Sequence, residues 1–192
     1  MSSLTVFDHL VMHPFLADLP SSWLHSLTVQ ADPVMWLAGR RVVREDAHAD
    51  LFWLLRSGTV VLDFHVPGRG DVAIERVGAG GVIGCSWLVA PHRWTLGAVA
   101  AEDCRAIEFD GRGVRALVAE DPDFGRELTA RMLAAAADRL QAARKRLIEL
   151  YAYPDALTRT TGPLCGTYDP GPVPGLPALL EIEESAQEAG DE

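Results

Sequence analysis

The spacing of apolar positions changes twice along the chain, and each change predicts a change of secondary structure. Residues 1–12 read as a flexible N-terminus. His13-Pro14-Phe15-Leu16-Ala17-Asp18-Leu19-Pro20 reads as one helical turn, with proline at its first position. Ser21 and Ser22 offer a cap for a second short helix through about Thr28, which buries Trp23, Leu24 and Leu27. From Val29 the apolar runs shorten and are broken by turn signals. Val34–Leu37, Arg41–Arg44, Leu51–Leu55, Asp71–Val77, Leu96–Ala101 and Cys104–Phe109 read as strands. Between them lies a clear alternation, with Val60, Leu62, Phe64 and Val66 on one face and Val61, Asp63 and His65 on the other. So many short strands predict an all-β sandwich or jelly roll.

From Gly111 the period is helical. Val114, Leu117 and Val118 share a face of a short helix that Asp121-Pro122 interrupts. A long helix is expected over about 123–152, ended by Pro154. Leu133, Ala136, Leu140, Ala143, Leu147 and Leu150 are spaced three and four in turn, which is a heptad seam. Leu128, Met132 and Ala135 form a second apolar face for packing on the β domain. Two apolar faces predict two things to pack against. The expectation is a homodimer through the seam, the alternative being that both faces share one core. The fold class is thus mainly β with flanking helices, a β roll over 13–153 that includes the long helix.

Composition narrows the setting. At 192 residues the chain fits one domain with a tail, and no apolar run approaches the ~20 residues that cross a bilayer. The net charge of -10 argues against a large nucleic-acid surface. Residues 154–192 hold six of the twelve prolines, and from Asp155 eight acids face only Arg159, a net of -7. That segment reads as an acidic, disordered tail, with Leu176–Ile182 as a short helix or docking motif for a protein partner. Cys85, Cys104 and Cys165 are odd in number and widely spaced, so neither a disulfide framework nor a zinc site is indicated. The histidines are scattered, with no H-x-H or HExxH spacing, and no nucleophile elbow occurs. The chain reads as a cytoplasmic protein, no enzyme and without metal.

The candidate chemistry lies in Gly80–Thr95. Glycines there allow a sharp turn and close approach of a ligand to the backbone. A short helix over about Cys85–Val89 would aim free amides at an anion, and Arg93 would close over it. A plain turn between strands is the alternative.

The order of these parts resembles the cyclic-nucleotide-binding domain, as in the effector half of the cAMP receptor protein (Crp/Fnr) superfamily. The resemblance is carried by His13–Leu19, by the Ala38-Gly39 turn, and by Ala49-Asp50-Leu51-Phe52-Trp53-Leu54-Leu55-Arg56-Ser57-Gly58. Gly80–Gly84 and Asp138-Arg139-Leu140-Gln141 add to it. It spans roughly residues 13 to 152. It implies a double-stranded β-helix, a long dimerisation helix, and a phosphate site built from Gly84, Cys85, Ser86, Arg93, Trp94 and Thr95, with cAMP or cGMP as effector. Several positions depart from the family pattern. Cys85 stands where nucleotide-binding members have the glutamate that accepts the ribose hydroxyl. Arg93 aligns with the cassette arginine only across a one-residue insertion. Trp87 and Trp94 add bulk at the pocket, and Ala143 and Arg144 stand near purine-contacting positions. Glu45-Asp46 replaces the preferred Glu-Gly. The resemblance also implies a helix-turn-helix after the long helix in transcription factors. The acidic segment here does not supply one, so no DNA contact is expected. Two readings follow: a sensor that binds a cyclic nucleotide or other phosphate-type anion and signals through its helix, or a scaffold that has lost its ligand.

Overall fold

The computed structural model describes residues 4–68 and 70–152. The predicted tail, 154–192, lies outside them, as do the side chains of Leu147 and Leu150.

The N-terminal reading needs correction. Residues 6–11 form helix α1 (Val6–Val11), with Leu10 completely buried. Its start is a reciprocal capping box. The Thr5 Oγ1 accepts from the Asp8 amide at 3.2 Å, and Asp8 Oδ2 accepts from the Thr5 amide at 2.8 Å. A single-turn 3₁₀ helix, Pro14–Leu16, has proline at its first position as expected. Helix α2 (Ser21–Thr28) is present and buries Leu24 and Leu27. Pro20 occupies its cap position, however, and no side chain caps it, because both serines already lie inside the first turn.

His13 is the buried hinge of this region. Its Nδ1 accepts from the Phe15 amide at 3.3 Å, which leaves Nε2–H to donate to the Leu55 carbonyl at 3.2 Å. Burial lowers its pKa; the bond to Leu55 works against this, and the nearby Arg56 charge adds to the lowering. His9 is lowered in the same sense by burial and Arg56. The native state therefore binds fewer protons than the unfolded chain. Stability contributed by these histidines is complete above the unfolded-state value near ~6.5 and is lost as pH falls toward the depressed native values. Urea titrations at pH 7.5 and 5.5 are expected to show lower stability at pH 5.5. His13→Asn retains an acceptor for the Phe15 amide and reduces that difference. An equal pH difference in the variant would show that His13 is not the titrating group.

Eight strands follow: β1 (Ala31–Trp36), β2 (Arg41–Val43), β3 (Leu51–Ser57), β4 (Val60–Val66), β5 (Gly70–Val77), β6 (Val82–Ile83), β7 (Gly97–Ala100) and β8 (Cys104–Asp110). They form two antiparallel four-stranded sheets, ordered β1-β8-β3-β6 and β2-β7-β4-β5. Neighbours in each sheet are mostly distant in sequence, as in a roll. β1 starts earlier than its apolar run because Pro33 is tolerated on an edge strand. β6 arises inside the glycine stretch, where Ile83 pairs with Trp53 and Val82 with Leu54.

The alternation in β4 holds at Val60 and Leu62, both buried, and then departs from expectation. Phe64 is 42 % exposed. β7 pairs only with Val60–Asp63, and beyond that point β4 pairs with β5 alone among the described strands. Asp63 is buried because Arg41 Nη1 covers it, at 2.6 and 2.7 Å from its carboxylate oxygens. The same guanidinium reaches Asp71 at 2.7 Å and so joins β2, β4 and β5.

Helix α3 (Gly111–Glu120) leads to α4 (Pro122–Ala152). Asp121 caps α4 by accepting from the Asp123 and Phe124 amides, both at 3.0 Å. The Trp23 indole N–H also binds Asp121, at 2.9 Å. Arg131 donates to the Phe15 and Ala17 carbonyls at 2.9 and 2.7 Å. Leu128 and Met132 of the expected second apolar face are buried, joined by Phe124, while Ala135 is half-buried.

Candidate functional site

A pocket of about 180 Å³ opens between the sheets and α4. Its interior is made by Val43, Leu62, Ile83, Trp94, Leu96 and Ala98. The glycine stretch passes directly along it. Gly84 has φ +87, in the left-handed region that favours glycine, and a Cβ there would lie 2.5 Å from the Trp94 ring. Of the six predicted ligand residues, five line this pocket: Gly84, Cys85, Ser86, Trp94 and Thr95.

Arg93 does not join them. Its Nη1 donates to the Asp46 carbonyl at 2.5 Å, and its backbone forms a bridge with His48. The predicted short helix is also absent. Residues Cys85–Leu88 form a turn closed by the Leu88 amide on the Cys85 carbonyl at 3.2 Å. Within this turn Trp87 faces inward: it is completely buried and stacks on Phe52 at 4.6 Å. Trp87 therefore belongs to the core and leaves the pocket free. Trp94 is the tryptophan that limits the pocket, stacked on Trp53 at 5.7 Å.

The cation at this pocket comes instead from α4. Arg139 Nε pairs with Glu75 of β5 at 3.1 Å, and its Nη2 donates to the Val82 carbonyl. Its Nη1 reaches Cys85 Sγ at 3.5 Å. Burial pushes the Cys85 thiol pKa up, against a smaller opposing pull from Arg139, so the thiol stays protonated at neutral pH. Arg139 stood in the sequence within the Asp138–Gln141 run, but its direction depends on how α4 docks. Ala136, expected in the dimer seam, also lines the pocket. Leu133 and Leu140 of the same seam are 68 % and 61 % exposed, and Ala143 is exposed.

The turn before β3 explains one departure from the family pattern. Asp46 has φ +61, a conformation glycine adopts freely and that aspartate tolerates better than most residues. Its amide donates to the Trp94 carbonyl at 2.9 Å, while the Trp94 amide donates to Ala47 at 2.9 Å. This double link fixes the pocket's tryptophan from behind.

Residues 33–121 match the family model of the cyclic nucleotide-binding domain. That segment is therefore similar to the family's domain, and the β roll has the family's fold. Arg139 and Ala136 lie beyond the matched segment. A comparison with curated proteins gives no match. Among solved structures, a Geobacter metallireducens protein classed as cyclic nucleotide-binding is similar at 23% identity and a TM-score of 0.65. The alignment covers 71% of this chain and 99% of that one. A cyclic nucleotide-binding domain from Methylobacillus flagellatus has 19% identity and a TM-score of 0.61, with 83% and 84% covered. The regulatory domain of Toxoplasma gondii PKA, crystallised with cAMP, has 15% identity and a TM-score of 0.55, with 70% and 48% covered. At these identities the likeness establishes the fold.

Proposed function

We propose that this protein is a non-enzymatic regulatory module in which a small anionic effector enters the β-roll pocket and α4 relays its presence to a second copy of the chain and to a protein partner. The observation that supports this reading is that one helix carries both pocket-lining and exposed apolar residues. α4 places Ala136 and Arg139 in the pocket wall, while Leu133 and Leu140, which flank Ala136 along the same seam, stand exposed. A ligand shifts an equilibrium only if it interacts differently with two states. The link from Arg139 to Glu75, Val82 and Cys85 supplies such a difference, because an anion in the pocket competes for the same guanidinium. Free thiols such as Cys85 and Cys104 fit a reducing cytoplasm.

Sedimentation velocity at tens of micromolar is expected to show a dimer. Leu133→Glu combined with Leu140→Glu sets like charges against each other across the seam and weakens association by roughly a hundredfold or more. Both positions are exposed in the single chain, so the variant still folds, and its melting temperature no longer rises with protein concentration. A wild-type protein that sediments as a monomer with and without effectors would sink the regulatory reading.

A further inference from the structure

We propose that the pocket takes a compact monoanion with an apolar body, bound by Arg139 in exchange for Glu75, and that it does not take a nucleotide. This rests on the regulatory reading above and narrows the ligand of the same site.

Size is the first argument. An apolar cavity of about 150 Å³ accommodates one benzene ring, whereas larger organic ligands occupy sites of roughly 300–1,000 Å³. At about 180 Å³ this pocket has room for one ring or a short alkyl chain and a carboxylate. A purine, a ribose and a phosphate together exceed this volume and would have to extend out through its open side. The wall that limits it is also held in place. Trp94 is bonded through its amide to Ala47 and through its carbonyl to Asp46, both at 2.9 Å, and its ring lies between Trp53 and Gly84.

Charge is the second argument. Arg139 is the only cation among the described residues that line the pocket. It already holds a carboxylate, Glu75, at 3.1 Å, so its present geometry suits that group. The Glu75 side chain is 25% exposed and does not line the pocket, so it can turn toward water when a ligand carboxylate replaces it. Cys85 lies 3.5 Å from the same guanidinium and is kept neutral by burial. A glutamate at that position would repel the incoming anion, and the thiol does not. Ser86 and Thr95 add hydroxyl groups to the lining. The exchange removes the ion pair between α4 and β5, which makes occupancy felt on the helix that carries the exposed leucines.

Isothermal titration of the full chain with benzoate, benzamide, inorganic phosphate and cAMP tests this. Benzoate is expected to bind, benzamide at least about tenfold more weakly, and phosphate and cAMP without measurable heat. Arg139→Gln lowers benzoate affinity by roughly ten- to a hundredfold, the range of a lost charge-assisted hydrogen bond. Arg139→Lys retains part of it. Glu75→Gln acts in the opposite direction and tightens benzoate several-fold, because it removes the competing carboxylate. Should Arg139→Gln fail to fold, Glu75→Gln alone decides the sign. If cAMP binds more tightly than benzoate, the ligand class is overturned while the regulatory reading stands. If benzoate binds equally to wild type and Arg139→Gln, the role given to Arg139 is overturned. If no probe binds, this proposal and the effector half of the regulatory reading both fall, and a ligand-free scaffold remains.

Discussion

Replacing Trp87 with alanine is expected to destabilise the protein by about 3–5 kcal/mol, the range for removing a large aromatic from a packed core. Trp87 has no exposed surface and ends a three-ring stack. It lies 4.6 Å from Phe52, which lies 4.6 Å from Phe109 on the neighbouring strand. Phe52 and Phe109 are register partners in β3 and β8, so the stack ties the loop to the centre of one sheet. Collapse around the gap is hindered because the Trp87 carbonyl is also held by Arg115 at 2.6 Å. For a domain of this size the melting temperature should fall by roughly 6–20 °C. Trp87→Phe should be much milder. It keeps an aromatic ring in the stack, and it removes an indole N–H that has no hydrogen-bond partner. Thermal unfolding of both variants checks the pair. Equal losses for alanine and phenylalanine would mean that the indole itself, not ring packing, holds the loop.

Gly84→Ala is the second large effect, expected at about 2–5 kcal/mol. Two costs combine. A residue with a Cβ at φ +87 pays roughly 1–2 kcal/mol for left-handed backbone. The added methyl meets the Trp94 ring at 2.5 and 2.6 Å, and overpacking costs about 1–3 kcal/mol. Trp94 has little freedom to yield, because its backbone is bonded on both sides to the Asp46-Ala47 turn. The change should lower the melting temperature by roughly 5–15 °C and close the pocket to any effector. A variant that melts within 2 °C of wild type would show that Trp94 is free to move. It would also remove the size argument for a compact ligand.

Much of the roll was legible before any coordinates. Short apolar runs between turns mark strands because a half-buried strand has period two, and Val60 and Leu62 obeyed that pattern. Phe64 did not; it lies past the β4–β7 pairing, in the part of β4 that pairs with β5 alone among the described strands. Glycine at 84 was legible for its backbone freedom, and it does sit on the pocket. Arg93 matches the family's cassette arginine in sequence order, but in the structure its guanidinium turns to the Asp46 carbonyl. Helix α1 was missed as a helix because its six residues are too few for periodicity to count, although Thr5 and Asp8 carry a capping-box pattern.

The sequence by itself determined the class of fold, the place of the glycine turn, and the two apolar faces of the long helix. Each of these depends on residues near one another in the chain, where spacing is set by the geometry of a helix or a strand. Only the tertiary structure decided which cation serves the pocket. Arg139 and Cys85 are 54 positions apart, and Glu75 lies on a third element. Their meeting depends on how α4 docks against the roll through Phe124, Leu128 and Met132. Tertiary packing likewise separated the two tryptophans of one short loop, sending Trp87 into the aromatic core and Trp94 to the pocket wall. Neither outcome can be read from local spacing, because both are fixed by what lies across the core from each side chain.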